Sequence, residues 1–397
     1  MSSERKTTVC ILGAGPAGIT LGNILVANGV DCIVVDQYNQ EEIFNRGRAG
    51  TFEHTTIEAL DRHGLGQDVT EKGILSTVCE FRGADTPVIF DFASHSNTVG
   101  RYIYPQSAFN DGLIERFVQN DGALLFEHKA TDIQQSGRKV TVELTEKESG
   151  EKTSISASFV VGCDGFHGIT RKMIPGSALT TYKKEFDHQW LAFLAEAPPL
   201  GKRVIYATHQ NGFAGHIPRT ETVTRYYLQI PAVDSTDDWP EDKVWKTMDK
   251  RLVRDSETLP TGPIIDKRPM TLRSFAVEPL CYGRLFLAGD AAHIVAPMGG
   301  KGMNMAVGDA IELAETFITY VSEKKRLTYL DRYSKARLPK IWKAIEFSNS
   351  MLTMTHGGAD EFDYKLGQSK LQQLKTSPTF ASHFAREFVG AVSAKSS

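Results

Sequence analysis

Cysteine is scarce in this chain, and no two cysteines are placed to act together. The five are Cys10, Cys32, Cys79, Cys163 and Cys281, and none forms a Cys-x-x-Cys pair. An odd, scattered set excludes a disulfide framework and fits a reducing, cytoplasmic setting. Cys10 and Cys32 fall inside apolar runs and read as buried thiols. No apolar run approaches membrane-spanning length. Met1-Ser2-Ser3-Glu4-Arg5-Lys6 leads straight into a strand pattern, not a secretory leader. The net charge is only −3, which gives no reason to expect nucleic acid or an anionic membrane as partner. No cluster has metal-ligand spacing, so no metal is expected. Internal repeats and low-complexity linkers are also missing. With 397 residues, 41% hydrophobic and 23% charged, the chain has an ordinary globular composition and room for two or three domains.

Three motifs stand out, far apart and in a definite order. Thr8-Val9-Cys10-Ile11-Leu12 is a continuously apolar run of the kind a buried parallel strand needs. Gly13-Ala14-Gly15-Pro16-Ala17-Gly18 follows it, then a helical stretch through Leu25 that Gly29 closes, then a second apolar run ending at Asp36. This βαβ context turns a bare GxGxxG into a dinucleotide signature. Gly13 permits the tight turn, Gly15 lets backbone approach a pyrophosphate, and Gly18 lets helix pack on strand. Asp36 lies where an acidic residue takes ribose hydroxyls, about 20 residues on. The second motif is Cys163-Asp164-Gly165-Phe166-His167-Gly168, and the third is Gly289-Asp290-Ala291-Ala292-His293 after an apolar strand. Together they indicate FAD.

Residues 76–99 and 176–268 contain alternating stretches, such as Arg203-Val204-Ile205-Tyr206-Ala207 and Arg225-Tyr226-Tyr227-Leu228-Gln229-Ile230, that read as antiparallel strands. The expected architecture is α/β. A Rossmann-like FAD-binding domain (1–75, 100–175 and 269–345) is interleaved with a β-rich substrate domain (76–99 and 176–268). A helical C-terminal region (346–397) follows.

On these motifs the chain resembles the class A flavoprotein aromatic hydroxylases. Further matches are Arg46-Gly47-Arg48-Ala49-Gly50, Leu272-Arg273-Ser274-Phe275, and Pro297, Gly299, Lys301, Gly302 and Asn304 after the third motif. The resemblance implies that reduced nicotinamide passes hydride to FAD, that the reduced flavin captures O2 as a C4a-hydroperoxide, and that one oxygen goes to an electron-rich ring. It implies FAD contacts at Gly13, Gly15, Gly18, Asp36, Arg48, Gln106 and Asp290, and at the turn holding Gly299, Gly302, Met303 and Asn304. The helix opened by that turn could steady negative charge on the flavin. Arg46, Arg48, His167, Arg171 and Arg273 match positions that handle NADH or NADPH, and arginine forks suit phosphates. Gln37-Tyr38-Asn39-Gln40-Glu41-Glu42 is acidic and lacks arginine, which favours NADH. His293 reads as structural. A homodimer is implied as well.

For the substrate the resemblance implies a benzoate with an electron donor para to the carboxylate, as in 4-hydroxybenzoate. Arg219 and Tyr227 match the carboxylate-binding pair, Tyr206 the hydrogen-bonding partner of the para substituent, Pro297 the carbonyl over the reacting side, and Trp190 a wall aromatic. Three positions depart. Ile217 replaces a serine that helps hold the carboxylate, a loss of about 1–3 kcal/mol. Phe388 replaces a tyrosine that continues the proton relay from Tyr206, and Ser76 replaces the histidine at its solvent end. Removal of a phenolic proton normally needs a positioned chain of bases. The departures therefore leave 4-aminobenzoate or 3,4-dihydroxybenzoate open as alternatives. His216 could supply a new base, but alternation puts it on the opposite face from Ile217.

Other flavin classes fit less well. Halogenases carry a tryptophan-rich run absent here, and disulfide reductases need a cysteine pair. A non-catalytic flavin redox sensor need not keep Arg219, Tyr206, Tyr227 and Pro297 together.

Overall fold

Val9 to Leu12 is buried without interruption because the strand that carries it, Glu4–Leu12, has a parallel neighbour on each side: Cys32–Val35 and Lys152–Gly162. The computed structural model describes residues 4–45, 50–84, 87–254, 257–323, 330–356 and 361–390. The first sheet runs in the order Cys281–Tyr282, Leu285–Leu287, Lys152–Gly162, Glu4–Leu12, Cys32–Val35, Ala123–Leu125. The antiparallel strands Lys139–Glu146 and His128–Ser136 are added to Lys152–Gly162. The helices Pro16–Ala27, Gln106–Gln119 and Lys301–Ser322 pack together beside this sheet. Asn28 caps the first of these helices, and Gly29 follows in the left-handed conformation (φ 69°).

The second sheet has the order His293–Ile294, Ile264–Glu278, Thr180–Ala195, Thr224–Pro231, Gly212–Pro218, Val204–His209, Val78–Arg82, Val88–Asp91. Its pairings are antiparallel except that of Val204–His209 with Val78–Arg82. Position 268 lies inside the strand Ile264–Glu278, which continues until Phe275 and Ala276 pair with Ile294 and His293. This strand physically joins the sheet to the third motif.

Alternation divides the second sheet into two chemically distinct faces. Leu191, Ile205, Ala214, Tyr226 and Leu228 point to one side, where the helix Glu241–Leu252 closes a core through Val244 and Met248. Trp190, Tyr206, Phe213, Ile217 and Tyr227 point to the other. There they meet Phe347 and Met351 of the helix Arg332–Thr355, Leu371 of Glu361–Thr376, and Phe384 and Phe388 of Pro378–Val389. The C-terminal helices thus roof the face that carries the expected substrate residues. A small third sheet has the order Thr51–Phe52, Arg101–Ile103, Ile74–Ser76. Among the described residues no helix is long and apolar enough to cross a membrane.

Candidate active site

Each glycine of the first motif has a separate steric reason. Gly13 adopts φ 105°, and a Cβ there would lie 2.3 Å from the carbonyl oxygen of Cys163, so the first and second motifs touch. A Cβ on Gly18 would lie 1.8 Å from the Gly13 oxygen. Gly15 is different: nothing lies within 4 Å of its would-be Cβ, and it caps the helix Pro16–Ala27 with no side-chain hydrogen bond. An uncapped helix N-terminus facing open space is an anion cradle, and a pyrophosphate fits it. Asp36 accepts from the Ala14 N–H (2.7 Å) and the Tyr38 N–H (2.9 Å), which fixes its carboxylate at the rim of the same turn.

The second cradle lies at the start of Lys301–Ser322. Gly299 (φ 79°) and Gly300 (φ 69°) turn the chain into the helix, which again lacks a side-chain cap, and Gly302 faces open space. The Asn304 side chain is committed to the protein: Oδ1 accepts from the Glu53 N–H (2.9 Å), and Nδ2 donates to the carbonyls of Thr51 (2.8 Å) and Gly300 (2.9 Å). It fastens the turn to the third sheet. Lys301 is buried, paired with Glu53, and donates to the carbonyls of Glu387 and Phe388, pinning the C-terminal helix. Burial lowers its pKa against the pull of Glu53. Met303 packs on the core, Gln106 opens the helix Gln106–Gln119, and Asp290 lies half-buried in the turn Gly289–Ala291. His293 Nε2 meets Asp309 Oδ2 at 2.6 Å, and Arg337 Nε donates to Asp309 Oδ1 at 2.6 Å, so His293 is tied into a buried charge cluster.

On the roofed face of the second sheet, Gly215 pairs with Tyr227 and Ile217 with Arg225. Trp190 is tilted against Tyr227 at 4.7 Å and stacked on Phe213 at 5.5 Å; Tyr206 stacks on Phe81 at 5.3 Å and lies 6.5 Å from Phe388. Burial pushes the Tyr206 hydroxyl up to about 12, against the opposing charge and hydrogen bond of Arg101, so it is a neutral donor at neutral pH. Pro297 immediately precedes the glycine turn, and its carbonyl accepts from the Gly300 N–H at 3.2 Å. Arg219 follows directly after the strand Gly212–Pro218, beside Tyr227 and Arg225. Burial lowers its pKa, the Arg225 charge adds to this, and no carboxylate pairs with either arginine among the described residues. Two neighbouring guanidinium groups without a counter-ion form a site for an anion.

His216 lies on the opposite face, as alternation requires. It accepts from the Leu200 N–H at 3.0 Å and meets the Tyr226 ring, and burial lowers its pKa to about 4. It supplies no base to the site.

The residues expected to handle the nicotinamide nucleotide converge in part. Arg171 and Arg273 lie over the Phe166 ring at 5.0 and 4.8 Å, and exposed His167 touches its edge. Arg171 donates to the carbonyls of Ala291 and Phe166, so it braces the second motif against the third. The Arg273 and His167 side chains make no hydrogen bond among the described residues. Arg46 and Arg48 lie outside the described residues.

Three residues not singled out in the sequence belong to the site. Arg225 is the second guanidinium beside Arg219. His356 ends the helix Arg332–Thr355 and accepts from Trp190 Nε1–H at 2.6 Å, stacking on Phe213 at 4.4 Å. Burial holds it well below its ordinary pKa, so it is neutral. Arg101 is 4% exposed and touches Tyr206, Phe388 and Gly299. Only Arg225 carried a signal, its alternation with Tyr227.

A family described as "FAD binding domain" matches residues 6–348. The chain is 33% identical over 388 residues to p-hydroxybenzoate hydroxylase of Acinetobacter baylyi, covering 97% of this chain and 95% of that protein. It is 28% identical over 352 residues to a 3-(3-hydroxy-phenyl)propionate/3-hydroxycinnamic acid hydroxylase of Mycolicibacterium gilvum, covering 85% of this chain and 58% of that protein. Among solved structures, p-nitrophenol 4-monooxygenase of Pseudomonas putida superposes with a TM-score of 0.81 at 20% identity, covering 98% of this chain and 97% of that one, a likeness of fold.

Proposed function

The chain belongs to the FAD-binding-domain family and is a flavin-dependent monooxygenase of the class A aromatic hydroxylase type; from that membership we propose that it hydroxylates a para-donor benzoate, resembling 4-hydroxybenzoate, next to the donor, with NADH or NADPH and O2. FAD, when bound, accepts hydride from the nicotinamide and activates O2. The two uncapped helix N-termini and Asp36 would hold it. This chain's residues bind, orient and exclude water. Arg219 and Arg225 take the carboxylate, the Trp190 and Phe213 rings wall the ring plane, and Tyr206 donates to the para substituent.

The observation that carries the reading is the Arg219–Arg225 couple beside Tyr227, without a carboxylate partner among the described residues and on the same sheet face as Tyr206. A site with cations at one end and a hydroxyl donor further along the face suits a ring with an anion at one end and a donor atom at the other. Arg225 opposite Ile217 supports carboxylate binding where a hydroxyl is missing. The acidic segment after Asp36, whose Glu42 pairs with Lys147, favours NADH over NADPH. Phe388 beside Tyr206 supports a second reading, in which 4-aminobenzoate or 3,4-dihydroxybenzoate is preferred because each needs less help in losing a proton.

The test is nicotinamide oxidation by the holoenzyme with 4-hydroxybenzoate, 4-aminobenzoate and 3,4-dihydroxybenzoate, with products identified by mass. Stimulation by 4-hydroxybenzoate with a dihydroxy product is expected. Stimulation only by the amino or dihydroxy compound would establish the second reading. No response to any benzoate would refute the carboxylate assignment of Arg219.

A further inference from the structure

Arg101 is a buried cation with no carboxylate partner among the described residues. Its strand, Arg101–Ile103, is the middle one of the three-stranded sheet, and Arg101 pairs in register with Ser76. Nη1 donates to the Gly299 carbonyl at 3.0 Å, in the turn that opens the flavin-side helix. The guanidinium carbon lies 3.6 Å from the centre of the Phe388 ring and 5.2 Å from that of Phe92. The Tyr206 hydroxyl lies close enough for the charge and donors of Arg101 to pull its pKa down against burial. Nε is buried and has no hydrogen-bond partner among the described residues. A guanidinium this deep, held by one carbonyl and aromatic faces, leaves a positive charge incompletely compensated.

Arginine donates and never accepts. Toward Tyr206, Arg101 can therefore only donate, and the tyrosine cannot pass its own hydrogen that way. Phe388 offers that hydrogen nothing, and no acceptor for it is found among the described residues. The acceptor that remains is the ligand. Two positions that a proton path from the pocket would use, Tyr206 and Phe388, are thus bridged by a group unable to carry protons, and the third, Ser76, pairs in backbone register with the residue that bears it.

We propose that Arg101 is a positioning residue that acts through Tyr206, aiming the tyrosine hydrogen at the para oxygen of the ligand and favouring that oxygen as the phenolate. The inference rests on the proposed function for the identity of the ligand. On this account the phenolic O–H bond breaks on binding, the electron pair stays on the ligand oxygen, and the proton leaves to bulk water. Charge replaces a relay.

The other titratable groups facing this point do not supply the effect. Cys79 has its thiol pushed up to about 12 by burial and stays neutral. Tyr227 carries no cationic group and packs against Trp190. Lys301 is paired with Glu53, and Glu387 with Lys343.

The experiment titrates holoenzyme-bound phenols between acid and alkaline pH by their phenolate absorbance, using 4-hydroxybenzoate and 4-nitrophenol. The second probe has no carboxylate. In the unsubstituted enzyme both should ionise at lower pH when bound than when free. In Arg101→Met the midpoint should rise by about one pH unit or more, as expected for loss of a nearby cation. Arg101→Lys should restore most of the shift, and flavin content checks that both variants fold. Binding of 4-nitrophenol with an Arg101-dependent midpoint, but no binding of 4-hydroxybenzoate, would sink the benzoate reading and leave this inference standing. Equal midpoints in the Met variant and the parent, or binding of neither phenol, would overturn it.

Discussion

Replacing Arg219 by glutamine should separate binding from stability. In the free protein Arg219 is a partly buried cation next to Arg225, without a carboxylate among the described residues. Removing it takes away a charge that burial and a like neighbour both disfavour, so Tm should stay level or rise. Binding should behave in the opposite way. A guanidinium–carboxylate contact is charge-assisted and commonly bidentate, and each such bond contributes about 1.5–3 kcal/mol. With Arg225 retained, the net loss should be about 3 kcal/mol, or about 10²-fold in Kd. The assay is perturbation of flavin absorbance by 4-hydroxybenzoate, repeated with the uncharged 4-hydroxybenzamide. The amide should lose little, because it never had the ionic contact. If Arg219→Gln binds 4-hydroxybenzoate within about threefold of the parent, or if both ligands weaken equally, the anion-site argument is wrong.

Phe388→Tyr should raise turnover of 4-hydroxybenzoate relative to 4-aminobenzoate; an unchanged ratio would mean that the missing hydroxyl is not what limits the phenol. Gly18→Ala would press a methyl group to 1.8 Å from the Gly13 oxygen and should abolish stable folding, whereas Gly15→Ala meets nothing within 4 Å and should keep apoprotein stability while weakening FAD retention about tenfold or more, measured by flavin release. His216 is neutral in the fold with its pKa near 4 rather than 6.5, so the unfolded chain binds the extra proton between those values. Stability from this residue is complete above pH 6.5 and falls by about 3 kcal/mol as pH drops to 4, so His216→Gln should flatten denaturation midpoints across that window. Arg273→Gln should raise KM for the nicotinamide nucleotide with little change in Tm, while Arg171→Gln, which breaks the ties to Ala291 and Phe166, should lower Tm.

The dinucleotide half was legible in the sequence because its constraints are local. Glycine spacing, an apolar run and a terminal acid report on one turn, and the geometry at Gly13, Gly15 and Gly18 depends on atoms close to that turn or to the second motif. The sheet face was legible by period-two alternation, which puts Ile217 and His216 on opposite sides. Arg101 left no such trace. It lies on a three-residue strand too short to show a period, and its meaning comes from Phe388 and Gly299, which are hundreds of positions away in sequence. His356 is equally silent, since a helix end becomes a pocket wall only after the C-terminal helices fold back over Trp190. Asn304 shows the converse: its place in the motif was readable, but its side chain holds the turn together.

The most direct test of the whole account follows the oxygen. The holoenzyme is supplied with NADH, 4-hydroxybenzoate and isotopically heavy O2, and the product is weighed. The account predicts one heavy oxygen atom in a ring-hydroxylated benzoate, with one NADH consumed per product. NADH consumed with benzoate present, but yielding only hydrogen peroxide and unmodified ring for every para-donor benzoate, would contradict it.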